Sequence, residues 1–411
     1  MKKYDEYKDS GVAWIGDVPK HWEVIKLKYK YHFQTGATPN TGKKENFEGD
    51  LRWANISDLN GSVVYDTTKH INKEAASKCS MNISPKGSLM YSFKLSVGTV
   101  AFCGEDMYTN EAIASFIPQK NDLKYLFYCA PIFIIHNANR NIYNAPLLNQ
   151  ELIKNALICL PSLNEQTAIA TYLDTHCAKI DNLISIQQKR IALLQELKQS
   201  VITHAVTKGL NPNVEMKQSG VEWIGDVPKH WELVRTRYLC NLCTGSKDTI
   251  NRVDDGKYPF YVRSPKVERI DTYSFDGEAI LMAGDGVGAG KVFHYAVGKF
   301  DYHQRVYNFH NFKHVLGKFF YNYISNNFKY IIEEGGAKNT VDSVRLYMIQ
   351  NFMTTVPPLE EQMEICNYIE QKEKVFDTSI SNAQHQIELL QEYKQSLITE
   401  VVTGKRKVTD N

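Results

Sequence analysis

The sequence predicts a mixed α/β (α+β) protein with two globular regions separated by two long helices that form an antiparallel coiled coil. Three observations lead to this fold class: a 14-residue segment occurs twice, a second set of segments repeats at another spacing, and apolar residues recur at coiled-coil spacing. A chain of 411 residues is also too long for a typical single core. The repeated order of the segments predicts pseudo-two-fold internal symmetry.

The first element is an arm that occurs twice. Residues 10–23 read SGVAWIGDVPKHWE and residues 219–232 read SGVEWIGDVPKHWE, so only Ala13 and Glu222 differ, at an offset of 209. Such an identity indicates an internal duplication. The histidine and the two tryptophans of the arm are the same in both copies, which favours structural or subunit-docking roles for them.

Two long regions follow the arms and do not repeat. They are rich in aromatic and β-branched residues and are not of low complexity, so we interpret them as folded domains and not as unconstrained loops. The predicted segments are, in chain order, an N-terminal arm (1–24), a first globular region (25–160), a first long helix (161–210), the repeated arm (211–232), a second globular region (233–356) and a second long helix (357–411).

The first long helix is predicted from its end signals. Ser162 and Glu165 form the pattern of a capping box just before a periodic segment. The helix is expected to run to about Lys208, because Gly209 and Pro212 then give a C-terminal stop.

The second long helix repeats the first at an offset of 196. Residues 193–203 read LLQELKQSVIT, and residues 389–399 read LLQEYKQSLIT. Pro358 suits the first helical turn, and the helix is expected to end at about Thr403, before Gly404.

Apolar residues in both helices follow alternating spacings of four and three. In the first helix these positions are Leu173, Cys177, Ile180, Ile184, Gln187, Ile191, Leu194, Lys198, Val201 and Ala205. In the second they are Ile369, Glu373, Phe376, Ile380, Ala383, Ile387, Leu390, Lys394, Leu397 and Val401. This narrow stripe predicts a coiled-coil seam and disfavours two separate amphipathic helices. The two seam lysines mark a frayed or tilted stretch, or fix the register with extended side chains.

Composition leaves the function open. A net charge of +2 neither indicates nor excludes a nucleic-acid partner, because the local electrostatic field decides binding.

No apolar run is long enough to cross a membrane, and the lysines near the N-terminus precede no apolar segment, so we expect a cytoplasmic protein. The pair Cys240 and Cys243 has no second pair of ligands at zinc-site spacing, which favours ordinary thiols.

Two segments resemble catalytic motifs but lack essential residues. The glycine-rich stretch 284–291 has Asp285 where a phosphate-binding loop needs glycine and Val292 where it needs serine or threonine, so we predict a turn after a strand at 279–283. The only Pro-Pro pair, Pro357 and Pro358, stands at a helix start and not in the motif with which DNA amino-methyltransferases hold a flipped base.

The repeated segments closely resemble the specificity subunits of type I restriction–modification enzymes. The matching pieces are SGVAWIGDVPKHWEV and its copy, LPSLNEQTAIATYLD, LLQELKQSVITHAVTKGLNPN, and VPPLEEQ with LLQEYKQSLITEVVTGK. The resemblance implies a non-catalytic subunit in which each globular region is a target recognition domain for one DNA half-site. It also implies that the paired helices set the spacer and dock two methyltransferase subunits, which restriction subunits join.

The two globular regions resemble different subtypes of target recognition domain. Residues 35–39, 53–58 and 91–98 are similar to one subtype, and residues 256–261 and 275–281 are similar to another. The resemblance therefore implies an asymmetric, two-part DNA site. S-adenosylmethionine, ATP and Mg are expected on the partner subunits only, and no cofactor is expected on this chain.

Candidate DNA contacts are polar or basic residues in predicted loops, because arginine, lysine, asparagine and glutamine read bases, and lysine, arginine and serine hold phosphates. They are Lys43, Lys44, Arg52, Asn55, Ser92 and Lys94 in the first region, and Lys247, Arg252, Arg263, Lys291, Lys338 and Asn339 in the second. For each residue, an ordinary solvated side chain is the alternative. The near-neutral charge predicts weak binding by the chain alone.

Two other functional classes remain open from the residues themselves. A coiled-coil adaptor would bridge proteins without DNA, but two unlike folded regions at matched positions favour recognition. A nuclease fused to recognition domains would need a metal-ligand cluster or a nucleophile constellation, and the sequence contains no such pattern.

Overall fold

The structure is a computed structural model and describes residues 2–119, 122–334 and 343–408. The chain divides into two compact units. Unit 1 comprises residues 1–186 and 386–411, and unit 2 comprises residues 187–385. Each unit therefore contains one globular region and one segment of each long helix.

The first half of the chain contains fourteen described strands and four helices. The strands are β1 (Tyr7–Asp9), β2 (Asp17–Pro19), β3 (Glu23–Lys26), β4 (Phe33–Thr35), β5 (Leu51–Ala54), β6 (Val63–Val64), β7 (His70–Ile71), β8 (Leu89–Ser92), β9 (Val100–Cys103), β10 (Tyr108–Thr109), β11 (Ile113–Phe116), β12 (Asn139–Arg140), β13 (Pro146–Leu147) and β14 (Leu157–Leu160). The helices are α1 (Lys73–Lys78), α2 (Leu123–His136), α3 (Gln150–Asn155) and α4 (Leu163–Lys208). The main sheet has the order β4-β11-β8-β9-β6, and β10-β5-β7 forms a second sheet.

The core of unit 1 lies between its main sheet and α2. Every residue of β8 and β11 is buried, because these central strands are covered on both faces. Tyr125, Phe133 and other apolar residues of α2 are buried against the sheet, in one cluster with Trp22.

The second half of the chain contains ten described strands and five helices. The strands are β15 (Met216–Gln218), β16 (Asp226–Pro228), β17 (Glu232–Arg235), β18 (Asn241–Thr244), β19 (Tyr258–Tyr261), β20 (Glu268–Ile270), β21 (Phe275–Ala283), β22 (Phe293–Tyr302), β23 (Val306–His310) and β24 (Met353–Val356). The helices are α5 (Thr236–Leu239), α6 (Gly317–Asn327), α7 (Lys329–Glu334), α8 (Leu346–Asn351) and α9 (Leu359–Val402). The sheet has the order β18-β23-β21-β22-β19-β20, so the strand predicted at 279–283 is confirmed as the end of β21.

The two regions share a strand topology that their sequences do not reveal. In unit 1, β4-β11-β8-β9 are neighbours, and in unit 2 β18-β23-β21-β22 are neighbours in the same order. The short strand β10 runs parallel to β5, and the end of β22 runs parallel to β19 in the same way. The separate strands β9 and β10 of unit 1 therefore correspond to one long strand, β22, in unit 2.

The repeated arms form the same structure twice. Each arm contains a hairpin, β1–β2 or β15–β16, and the strand after it pairs with the strand just before a long helix, β3 with β14 and β17 with β24. Trp22 and Trp231 are fully buried at these joins. The structural role predicted for the repeated tryptophans agrees with this burial.

The long helices end close to the predicted residues. The backbone of Gly209 has φ 77° and that of Gly404 has φ 73°, a left-handed conformation that favours glycine and ends each helix. At the start of α4, the Ser162 hydroxyl accepts from the Glu165 amide at 3.4 Å, which is half of the predicted capping box. The Glu165 carboxylate instead bonds to Tyr4 and His21, so the second half of the box is not made.

The predicted seam and the antiparallel pairing of α4 and α9 are confirmed within each unit. All of the seam positions are buried or partly buried, whereas most positions between them are exposed. In unit 1, Leu173 near the start of α4 shares a core cluster with Val401 near the end of α9. In unit 2, Ala205 near the end of α4 shares a cluster with Ile369 near the start of α9.

The two seam lysines make reciprocal ion pairs. Lys198 Nζ lies 2.9 Å from Asp377 Oδ1, and Lys394 Nζ lies 2.7 Å from Asp181 Oδ1. At the offset of 196 these pairs exchange partners, because Lys198 matches Lys394 and Asp181 matches Asp377. Burial opposes the charge of Lys198, but the bond to Asp377 and the nearby carboxylates raise its pKa. The geometry supports the register-fixing interpretation of these lysines.

Candidate nucleic-acid interface

Four loops of unit 1 adjoin one another where strands of its two sheets end. We call residues 36–39, 55–57, 93–99 and 110–112 the end loops of unit 1. Backbone bonds join them: the amide of Ala37 donates to the Thr109 carbonyl at 3.1 Å, that of Asn110 to Ala54 at 2.9 Å, and that of Phe93 to Ala112 at 3.0 Å. The main chain thus fixes the course of these loops independently of their side chains.

Unit 2 has four end loops in the matching places, residues 245–248, 262–266, 284–291 and 303–305. Two backbone bonds are equivalent to those of unit 1, from the His303 amide to Tyr261 at 2.9 Å and from the Gly284 amide to Arg305 at 2.8 Å. A third runs in the opposite direction to its counterpart, from the Gln304 amide to Lys247 at 2.8 Å. The shared bonds match Glu111 with Gln304, and Lys94 with Asp285.

One glycine in each unit makes this arrangement possible. A β-carbon on Gly36 would overlap the carbonyl oxygen of Thr109, and one on Gly245 would overlap that of Tyr302. Both glycines follow a threonine, and they are 209 residues apart, the offset of the repeated arms. The repeat therefore continues past the arm into the variable region, and this Thr-Gly pair is the sequence signal that could have located the end loops.

The end loops of unit 1 carry one ion pair. Thr38 donates a hydrogen bond to the Glu111 carboxylate, and Lys94 Nζ lies 3.7 Å from it. The bond from Thr38 is the main cause that lowers the pKa of Glu111, with a smaller contribution from the charge of Lys94. Both charged side chains are about half exposed, and they are the only ionised groups in these four loops.

The end loops of unit 2 carry an excess of cations. They contain five lysines or arginines and two aspartates. Arg263 Nη1 lies 2.9 Å from Asp285 Oδ1, and Arg305 Nε lies 3.6 Å from Asp285 Oδ2, so one carboxylate holds two guanidinium groups. Gln304 donates to Asp248 at 2.8 Å, and His303 is buried beneath it with a pKa lowered chiefly by burial.

Two of the six candidates in the first region lie in the end loops with exposed or partly exposed side chains. Lys94 is one, and Asn55 is the other, with its side chain accepting from the Ser57 amide at 2.8 Å. Ser92 is fully buried at the end of β8 and its hydroxyl donates to the Leu95 carbonyl oxygen, which shapes the loop 93–99.

The remaining three candidates of the first region, like Ser92, lie outside the end loops. Lys43 and Lys44 are exposed at a 3-10 helical turn, Lys44–Phe47. Arg52 lies on β5 with Nε 3.5 Å from Asp66 Oδ1. All six remain predictions as DNA contacts.

Three candidates of the second region, Lys247, Arg263 and Lys291, lie in the end loops. Arg252 lies outside them and pairs with Asp254 at 3.3 Å. Lys338 and Asn339 lie outside the described residues. As DNA contacts, these candidates also remain predictions. The structure also places in the end loops four residues that were not among the candidates predicted from the sequence: Glu111, Asp285, Gln304 and Arg305.

The glycine-rich segment 284–291 is a turn between β21 and β22, as predicted. Gly286 has φ 71° and Gly290 has φ 63°, and the Gly290 amide donates back to Ala283 at 2.9 Å. Lys291 is exposed at its end, so its predicted approach to a DNA phosphate is sterically open.

Within residues 2–119, 122–334 and 343–408, no group of three or more histidine, cysteine, aspartate or glutamate side chains could hold a metal ion. Cys240 is buried, and burial raises the pKa of its thiol to about 12. Cys243 Sγ lies 3.2 Å from the Tyr302 hydroxyl.

Among the helices of the described part of the chain, none has both the length and the apolar character that a membrane span requires.

A sequence model of the Type I restriction modification DNA specificity domain matches the chain twice, at residues 19–196 and 228–389. Each match spans one globular region and part of the long helix that follows it.

Curated relatives show the same similarity. The specificity subunit of the type I restriction enzyme MjaIX of Methanocaldococcus jannaschii is 27% identical over 255 residues, which are 60% of this chain and 58% of the relative. That of EcoDI from Escherichia coli is 26% identical over 181 residues, 44% of this chain and 40% of the relative, so the chain spans about half the length of these two relatives. The putative MjaX specificity subunit of M. jannaschii is 24% identical over 434 aligned residues, 96% of each chain.

Solved structures share the fold. A chain from work on complex assembly and conformational transition of the type I R-M system superposes with a TM-score of 0.72 at 14% identity, covering 94% of this chain and 98% of that one. The HsdS subunit from Thermoanaerobacter tengcongensis superposes with a TM-score of 0.50 at 15% identity, covering 95% and 98%. At these identities the similarity concerns the fold alone.

Proposed function

Because the chain belongs to the type I restriction–modification DNA specificity family, we propose that it reads an asymmetric, two-part DNA sequence for a complex of methyltransferase and restriction subunits. The single observation that carries the proposal is the pair of matched end-loop sets. The same strand order and two equivalent backbone bonds between the loops present different side chains in the two units. To read two different half-sites, a protein needs two similar backbone arrangements that carry different side chains.

The junctions between arms and long helices support docking of two copies of one partner. His21 pairs with Glu165 at 3.0 Å in unit 1, and His230 pairs with Glu361 at 2.8 Å in unit 2. Surfaces with the same chemistry in both units suit two identical methyltransferase subunits. Restriction subunits would join that complex.

The chemistry of the complex would belong to the partners. S-adenosylmethionine would be held by the methyltransferase subunits, and ATP and Mg by the partner subunits as well. The present chain would supply recognition and orientation, and it would do so in the cytoplasm.

The proposal is tested with the full chain and its methyltransferase subunits, purified as a complex. The complex is incubated with random-sequence duplexes, and the bound fraction is sequenced. We expect enrichment of one two-part sequence with unlike halves and a constant spacer. Enrichment of no sequence would contradict recognition and favour the adaptor, and DNA cleavage by the purified chain alone would favour an enzyme.

Salt dependence adds a second measurement. The net charge of +2 leads us to expect weak binding by the chain alone and much stronger binding by the complex, with a steeper dependence on salt concentration. Equal affinity of the two forms would contradict this part of the proposal.

A further inference from the structure

The end loops of the two units have a similar backbone arrangement, but their charged side chains differ. At the matched positions, unit 1 has Lys94 and Glu111, whereas unit 2 has Asp285 and Gln304. The end loops of unit 1 thus carry one charge of each sign, and those of unit 2 carry five cationic side chains and two carboxylates.

We infer that Arg263 and Arg305 read guanine in the half-site bound by unit 2, and that Asp285 positions both side chains. The inference rests on the proposed function and deepens it, because it assigns a base to named residues. The positions in unit 1 that match Arg263 and Arg305 hold no arginine, so the guanines read by these two residues should lie in one half of the DNA site.

The arginines are exposed but oriented. The side chains of Arg263 and Arg305 are 42% and 66% exposed, whereas that of Asp285 is only 23% exposed. Arg263 donates a hydrogen bond to Asp285 Oδ1 at 2.9 Å, and Arg305 Nε lies at ion-pair distance from Oδ2, 3.6 Å. A guanidinium has five N–H donors, so each arginine keeps donors that are not bonded to the carboxylate.

The guanidinium edge suits guanine better than other bases. Arginine donates two parallel bonds to O6 and N7 of guanine in the major groove, and this is the commonest specific contact between proteins and DNA. A side chain already held in one orientation loses less conformational entropy when it makes that contact.

The position of Asp285 disfavours a phosphate as the ligand. A carboxylate between the two guanidinium groups would repel a phosphate brought close to both of them. A base edge carries no net charge, so the same carboxylate can hold the arginines without that repulsion. The backbone beside Asp285 is open, because a β-carbon on Gly286 would have only Arg263 Nη1 within 4 Å.

The test compares variants of the full chain in complex with the methyltransferase subunits, by selection from random duplexes and sequencing. In Arg305→Gln and Arg263→Gln, we expect the preference for guanine to fall about tenfold or more at one position each, all in the same half of the site. Arg305→Lys is expected to keep a weaker preference for guanine, because lysine also donates to O6 and N7. Asp285→Asn should weaken the preference at both positions.

Two matched variants serve as controls. Arg237 is an exposed arginine of unit 2 that donates to Asn351 outside the end loops, so Arg237→Gln should select the wild-type sequence. Glu111→Gln places in unit 1 the residue type of the matched Gln304, and it should alter only the other half of the site.

The outcomes separate a failure of the proposed function from a failure of the guanine assignment to Arg263 and Arg305. If the wild-type complex selects no sequence, the proposed function fails. If it selects a two-part sequence and the folded arginine variants select the same one, the inference alone fails. Uniformly weaker binding to all sequences would assign the arginines to phosphates and also overturn it. If Arg305→Gln selects no sequence at all, the result supports the inference only when Arg305→Lys again selects guanine at the affected position.

Discussion

In unit 1, Glu165 accepts hydrogen bonds from Tyr4 and His21, whereas in unit 2 the matched Glu361 accepts them from His230 and Trp231. The pair of histidine and glutamate is common to both junctions, and only the third partner differs. At the end loops, no pair of side chains is common to both units. The comparison shows that the duplication kept side-chain contacts at the junctions and only backbone contacts at the end loops.

A second difference at the junctions concerns the ends of the long helices. Lys208 Nζ binds the carbonyl oxygens of Ile224 and Asp226, and Lys405 Nζ binds that of Asp17, the residue that matches Asp226. Lys208 precedes its glycine in sequence, whereas Lys405 follows its own. The same contact is therefore reached from two different local sequences.

The largest effects are expected from the glycines that hold the end loops together. Gly36→Ala and Gly245→Ala place a methyl group on a carbonyl oxygen, and each should lower the free energy of unfolding by about 2–3 kcal/mol. Denaturant unfolding of the full chain measures the change. Gly42→Ala, where only the end of the Asn40 side chain is near, is the control and should have a small effect. Equal effects at all three sites would show that the shared frame does not depend on these glycines.

The buried tryptophans should distinguish the two junctions. Trp231 Nε1 donates to Glu361 at 3.0 Å, whereas Trp22 Nε1 has no hydrogen-bond partner among the described residues. Both Trp→Phe variants lose apolar contacts, but Trp231→Phe also loses this bond to a charged acceptor. It should therefore cost about 1–2 kcal/mol more than Trp22→Phe in denaturant unfolding. A larger cost for Trp22→Phe would reverse the comparison.

The reciprocal lysines should behave alike. Asp377 and Asp181 are largely exposed, so solvent screens both pairs, and Lys198→Met and Lys394→Met should each cost about 0.5 kcal/mol at low salt and less at high salt. Lys198 also lies 3.4 Å from Glu373 and should cost slightly more. Double-mutant cycles with the two aspartates measure each pair. A coupling energy present in one unit and absent in the other would break the symmetry of the seam.

The smallest effect is expected from pH. Burial lowers the pKa of His294 and His303 in unit 2, and in unit 1 it lowers that of His136, where Arg140 adds to the effect. A lowered pKa in the folded state means that the unfolded chain binds the proton first, so stability falls as the pH drops below about 6.5. Hydrogen exchange should show a larger loss of protection in unit 2 than in unit 1 between pH 7 and pH 5.5. His303→Gln should reduce that difference, and equal losses in the two units would contradict the expectation.

The family, the long helices and their ends could be predicted because their signals are local or repeat at a constant offset. The matches to the specificity-domain model and to the curated relatives confirm the family and the prediction of a recognition subunit instead of an enzyme. The ends of α4 and α9 fall within one residue of the predicted positions, because a glycine in the left-handed conformation follows each helix.

The contents of the end loops could not be predicted because the offset between the units changes along the variable regions. Gly36 and Gly245 are 209 residues apart, but the matched Lys94 and Asp285 are 191 apart. Insertions between the strands thus hide the correspondence. Arg305 is separated by 42 residues from Arg263, and only the folded sheet brings both to one carboxylate.

Contacts between residues that precede unit 2 and residues that follow it affect the order of events during synthesis. The Tyr7 hydroxyl donates to the Gly404 carbonyl at 3.2 Å, and the Lys407 amide donates to that of Lys2 at 3.0 Å. Unit 2 is one continuous stretch of chain, so on the ribosome it has all of its residues before translation finishes. Unit 1 combines residues that precede unit 2 in the chain with residues that follow it, so its arm must wait until unit 2 and the end of α9 have emerged.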